Sequence, residues 1–185
     1  MKRKGIFFAA IVLLCAVLLV IYVTNNGAEK KRKDAVSGLL KIYYSADDDE
    51  TLDKVSDGAS AAGEFDSTFE ALYNEKYIEY LTKDAYERLS ANRTILEPEQ
   101  IVRDFGCTLK FIEADISKSA DSAEGHPVYS YNARINVTLP DNENREIIET
   151  GTVEFVKEEN QWKVDLLNVK TGELYDRVKD LAPAS

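Results

Sequence analysis

Residues 6–23 form an uninterrupted run of eighteen residues without charge, I-F-F-A-A-I-V-L-L-C-A-V-L-L-V-I-Y-V. At about 1.5 Å per residue, a helix of that length reaches about 27 Å, close to the hydrocarbon thickness of a bilayer. The run therefore reads as a transmembrane helix. Ile6, Phe7, Phe8, Leu13, Leu14, Leu18 and Leu19 are its anchoring side chains, and Tyr22 lies at the far boundary, where aromatic belts occur. A cleaved signal peptide has a shorter apolar region, about 7–15 residues, ending in a small-x-small site. Here the run gives way to Thr24-Asn25-Asn26-Gly27-Ala28, a poor site of that kind, and Cys15 comes after Leu14 rather than the small residue of a lipoprotein signal. The expectation is an uncleaved, single-pass anchor.

Charge divides the chain at the same place. Residues 1–34 carry seven Lys/Arg and two Asp/Glu, a net of +5; the whole chain is −10, so residues 35–185 sum to −15. So acidic a domain lacks the basic footprint that a nucleic acid requires. The basic run 30–33 falls where lipid headgroups would lie and pins the end of the span. Lys/Arg counts on the two sides of the run are nearly equal, so the positive-inside rule gives little direction. The short tail, residues 1–5, offers no function of its own, which favours placing it inside and the domain outside the cell membrane. Cys107 is the only cysteine beyond the run, so the domain holds no internal disulfide. Such sparse cysteine suits a cytosolic domain and an exported bacterial one equally.

Residues 24–64 read as a juxtamembrane stalk or linker. Val36, Leu39, Leu40, Tyr43 and Tyr44 recur there at helical spacing, followed by an acidic run and a Ser/Ala/Gly-rich stretch. Residues 65–185 read as the domain. Helical patterns come first: a face through Phe69, Leu72, Tyr73 and Tyr77, a second helix from Tyr77 to Leu89, and a third opened by Glu97-Pro98 and ended by Gly106. The period then changes to two. Strands are expected at 107–116, with Leu109, Phe111 and Ile112; at 127–139, with Tyr129, Tyr131, Ala133, Ile135, Val137 and Leu139 on one face; at 145–157, with Ile147, Gly151, Val153 and Phe155 inward; and at 161–169, a strand that holds Trp162, Val164 and Leu166. Short turns join the last three into an antiparallel meander, and residues 172–181 read as a closing helix. Helices before strands argue for an α+β fold, with helices packed on one face of a curved antiparallel sheet.

This order resembles the nuclear-transport-factor-2-like fold over residues 65–169. The resemblance is carried by Tyr77-Ile78-Glu79-Tyr80-Leu81-Thr82, with Leu89 downstream, and by the hairpin of residues 151–166, G-T-V-E-F-V-K-E-E-N-Q-W-K-V-D-L. A short tail, one span and one such domain also resembles the VirB-type assembly factor of type IV secretion and of conjugation systems, including those of Gram-positive bacteria. That resemblance implies a non-enzymatic, membrane-anchored scaffold whose partners are other proteins of a membrane complex, with self-association through the sheet or the span.

Individual residues offer little chemistry. His126, the single histidine, sits between Gly125 and Pro127 and reads as a turn residue; alone it excludes a multi-histidine metal site and a Ser-His-Asp triad. Asp47-Asp48-Asp49-Glu50 lacks the alternating ligands and glycine of a calcium loop. Tyr77, Tyr129 and Tyr131 read as core, or as the lining of a cone-shaped pocket if the domain is a cell-envelope ligand binder or an isomerase-like enzyme. No catalytic residue, cofactor or metal set is expected. The expected contact surface is the polar face of Asn132, Arg134, Asn136, Thr150, Thr152 and Glu154.

Overall fold

Apolar side chains alternate with polar ones from residue 129 to 137, and a strand points successive side chains to opposite faces. Tyr129, Tyr131, Ala133, Ile135 and Val137 accordingly all turn inward and are at most 1% exposed. The structure, a computed structural model, describes residues 27–47, 67, 70–170 and 172–182. In it this strand is β2, Val128–Thr138. It pairs with β1 (Thr108–Lys118) and β3 (Asn144–Glu158), and β3 pairs with β4 (Gln161–Asn168), all antiparallel and in the order β1-β2-β3-β4. This is the expected α+β meander. Among the described residues no helix is long and apolar enough to cross a membrane; the expected span, residues 6–23 with all its anchoring side chains, lies outside them.

Two bulges change which residues face inward. Between β1 and β2 the pairing passes from Phe111↔Ile135 to Glu113↔Arg134, leaving Ile112 as an extra residue. Between β3 and β4 it passes from Glu154↔Leu166 to Phe155↔Val164, leaving Asp165 extra. One extra residue moves everything beyond it to the other face. Leu166, two residues beyond the buried Val164, is therefore 48% exposed, and Leu167 takes the inward place at 5%. Ile112 likewise stands 42% exposed.

The chain divides into two compact units at 34/35. In the first, the described residues 27–34 are helical and carry an ion pair of 3.0 Å between Lys33 and Glu29. In the second, residues 35–43 form a helix, α1, whose Val36, Leu39, Leu40 and Tyr43 recur at the spacing of one helical face and are at most 2% exposed. Ala46 then exchanges backbone hydrogen bonds of 3.0 and 2.7 Å with Leu109 at the start of β1. The unit that bears the sheet thus begins at residue 35. Residues 35–47, expected as stalk, belong to its core because their apolar face finds the sheet.

The helix expected from Tyr77 to Leu89 is also divided. Tyr73–Tyr77 is a π-helical turn, residues 78–80 form a turn, and α2 begins only at Lys83 and runs to Ala91. The break has a local cause. The Thr82 N–H donates to Val164 O at 3.0 Å, Val164 N–H donates to Tyr80 O at 2.7 Å, and Thr82 Oγ1 accepts from Ala85 N–H at 3.1 Å as a helix cap. Pairing with β4 and capping satisfy backbone groups that a continuing helix would otherwise bond. α3, Glu97–Phe105, is as expected: Pro98 lies in its first turn and Gly106 ends it at φ 60°. The last helix, α4, spans Glu173–Leu181 and buries Leu174 and Val178.

Candidate functional site

All six residues of the expected contact face lie on one side of the β2–β3 ladder. Asn132 is opposite Thr150, Ser130 opposite Thr152, Val128 opposite Glu154, Arg134 opposite Ile148 and Asn136 opposite Glu146. The ends of the face are internally bonded. Asn136 Nδ2 donates to Thr138 Oγ1 at 3.1 Å and to Asn144 Oδ1 at 3.0 Å, and Arg134 is paired with Glu113 on β1. At the other end His126 Nδ1 is 2.9 Å from Glu154 Oε1 and 3.9 Å from Glu124. The turn reading of His126 holds, since its carbonyl accepts from Ser122 N–H at 2.9 Å; its link to the face is a feature the sequence does not announce. Between these ends Asn132 and Thr150 make no side-chain hydrogen bond among the described residues. Ile148, two residues before Thr150 on the same strand, is 54% exposed, and Ile112, the extra residue of the β1 bulge next to the Glu113–Arg134 pair, is 42% exposed.

The three expected tyrosines, Tyr129 and Tyr131 on the inner face of β2 and Tyr77 on the π-helical turn, are all at most 3% exposed. They behave as core. Tyr129 packs edge-on to Phe155 with ring centres 5.7 Å apart, and Tyr77 lies 5.5 Å from Tyr86. A cavity of about 230 Å³ opens instead between α2 and β4, lined by Leu89, Asn92, Asp165 and Leu167 among others, and none of the three tyrosines lines it. Tyr131 crosses over Gly151, its cross-strand neighbour, and its hydroxyl meets that of Tyr44 at 3.2 Å, tying the chain after α1 to the sheet. Burial, followed in size by smaller contributions from Tyr44 and Glu149, leaves the Tyr131 phenol at about 12. Tyr44 is raised well above its ordinary value for the same first reason, so neither hydroxyl supplies a phenolate at neutral pH.

Sequence reasoning missed Glu149. It lies in the inward series of β3 between Ile147 and Gly151 and is 2% exposed. The period-two count through residues 147, 149, 151, 153 and 155 contained the signal: an acid in an otherwise inward register. Arg177 on α4 places Nε 3.3 Å from Glu149 Oε1, although that oxygen receives no aligned hydrogen bond. The same guanidinium donates to Ile148 O and lies 3.5 Å from Glu173. Burial raises the Glu149 pKa; Arg177 and Lys170 pull it down, while Glu173 and Glu97 push it up. Glu97 is raised by burial too, partly offset as its Oε1 accepts from Gly172 N–H at 2.7 Å. Two carboxyls held towards their neutral form beside two unactivated phenols make a polar joint between helices and sheet. No group of three His, Cys, Asp or Glu suited to a metal occurs among the described residues; of the acidic run only Asp47 is described.

No family model and no curated protein matches the chain. Among solved structures, CagV, a VirB8 homolog of the type IV secretion system from Helicobacter pylori strain 26695, matches over 74% of this chain and 95% of its own, with 14% identity and a TM-score of 0.44. That protein is of the class named by the sequence resemblance. No residue role is carried across.

Proposed function

We propose that this chain is a membrane-anchored, non-enzymatic assembly protein that presents the outer face of β2 and β3 to other proteins of a membrane complex, in a type IV secretion or conjugation machine. The carrying observation is the face itself. Asn132 and Thr150 stand unengaged at its centre, with Ile148, 54% exposed, two residues along the same strand. Recognition surfaces combine polar groups that still need partners with a few accessible apolar side chains. The charge-free run of residues 6–23 supports the anchor, and the acidic domain supports protein rather than nucleic-acid partners.

Crosslinking in intact membranes, followed by purification through a C-terminal tag and mass spectrometry, tests this reading. The expected result is a defined set of membrane-complex proteins whose yield drops when Asn132→Arg and Thr150→Arg are combined. Recovery of the chain alone, or of the same set from the double variant, overturns it. A second reading, a ligand-binding domain acting through the inner cluster, is favoured by the buried carboxyl of Glu149 beside Tyr131. It predicts the opposite pattern: Glu149→Gln abolishes function while the face variants retain it.

A further inference from the structure

β3 spans fifteen residues and β4 only eight, and their ladder runs from Thr152↔Asn168 to Glu158↔Gln161. Residues 144–151 therefore have β2 on one side and, among the described residues, no strand on the other. In an antiparallel pair, alternate residues direct their backbone groups to opposite neighbours. The carbonyl of Ile148 accepts from Arg177 Nη1, a side chain of α4 and not of β2, which sets the alternation. Glu146, Ile148 and Thr150 then aim their N–H groups and carbonyls at the strand-free side. Apart from the Ile148 carbonyl, none of these groups has a hydrogen bond on that side among the described residues. Such an edge specifies its own occupant, because only an extended backbone matches its row of donors and acceptors.

We propose that residues 144–151 are a strand-addition site for an extended segment of a partner protein, with apolar and basic side chains alternating on the outer face. The apolar residues lie beside Ile148, which is 54% exposed, and the basic ones meet Glu146 in a domain of net charge −15. The exposed charges of Arg145 and Glu146, with Arg177 occupying one acceptor, guard the edge against indiscriminate pairing. This site is the backbone edge and does not rest on the outer-face reading.

Amide-resolved hydrogen–deuterium exchange on the full-length protein in detergent micelles tests it. The probe is the heptapeptide Lys-Thr-Val-Thr-Lys-Thr-Val, with its alternately N-methylated twin as control. In the free protein the amides of Glu146, Ile148 and Thr150 should exchange at least about tenfold faster than those of Ile147 and Glu149, which face β2. The peptide should slow those three amides by about tenfold or more, the twin should not, and Ile148→Lys should weaken peptide binding by about tenfold. Equal protection of odd and even amides in the free protein, no slowing by the peptide, or equal slowing by the twin overturns the proposal. Asn132→Arg separates the two readings, because it damages the outer face and leaves peptide protection intact.

Discussion

Nε of Arg177 lies 3.3 Å from Oε1 of Glu149, joining the last helix to the inner face of β3. The pair is asymmetric: the arginine side chain is 41% exposed and the glutamate side chain 3%. The carboxylate therefore bears most of the desolvation, which is why burial outweighs its cation and its pKa rises.

This gives a pH dependence of definite sign. The folded pKa values of Glu149 and Glu97 both lie above the ordinary 4.5, so between the two states' values the folded chain binds more protons than the unfolded one. Their contribution to stability is fully present below about 4.5 and is lost as pH rises through the raised folded values. Denaturation followed by the fluorescence of Trp162 should show this loss, and Glu149→Gln should reduce the slope. A slope that Glu149→Gln leaves unchanged would show that Glu149 does not contribute.

Removing the cation makes the penalty worse. Arg177→Met leaves a charged, buried Glu149 without its nearest counter-ion, and should cost about 1–3 kcal/mol at neutral pH. The cost should shrink in acid, where the carboxyl is protonated. Adding Glu149→Gln to Arg177→Met should recover part of the loss, and a double variant that behaves as the sum of the singles would refute the coupling.

Gly151 should tolerate no side chain. A Cβ there would lie 2.4 Å from both the Tyr131 hydroxyl and the Asn168 carbonyl oxygen. Gly151→Ala should destabilise by about 1–3 kcal/mol. Tyr131→Phe should not rescue it, because the backbone oxygen of Asn168 and the ring itself remain. Full rescue would mean that the hydroxyl alone makes the contact.

Thr82 has two tasks. Its Oγ1 accepts from Ala85 N–H at 3.1 Å and donates to Asp165 Oδ1, on the β4 bulge, at 2.8 Å. Thr82→Ala should cost about 1–2 kcal/mol through loss of the cap and of the bond to Asp165. Thr82→Ser, which keeps the oxygen, should cost much less. Equal losses for the two would place the effect in the methyl group.

Much of this architecture was legible in the chain, for reasons that can be located. The alternation from Tyr129 to Val137 allows one strand and one inward face, and Pro98 and Gly106 bracket α3 by backbone chemistry alone. The six polar residues of the outer face share the same period. The bulges did not show, because the extra residues Ile112 and Asp165 leave no mark in composition and act only through pairing with another strand. Leu166 breaks the alternation begun at Trp162 and Val164 for that reason. The break before α2 depended on Val164, more than eighty residues away in sequence, meeting Tyr80 and Thr82. Glu149 was visible in the inward register, but its cation, Arg177, came from a helix whose placement the sequence leaves open.

The bond between Tyr44 and Tyr131 joins residues 87 positions apart, whereas each strand of the sheet pairs with its immediate successor. In time, the two halves of the core therefore mature differently. The hairpins close locally and quickly, but the greasy stripe of Val36, Leu39, Leu40 and Tyr43 is made first and has no sheet to cover. At about 5–20 residues per second, the ribosome needs roughly 4–17 s to travel from Tyr44 to Tyr131. For that interval α1 lacks the strand that Tyr44 bonds to, and its first available partners are Thr94, which accepts from the Tyr43 hydroxyl, and Leu109, which pairs with Ala46.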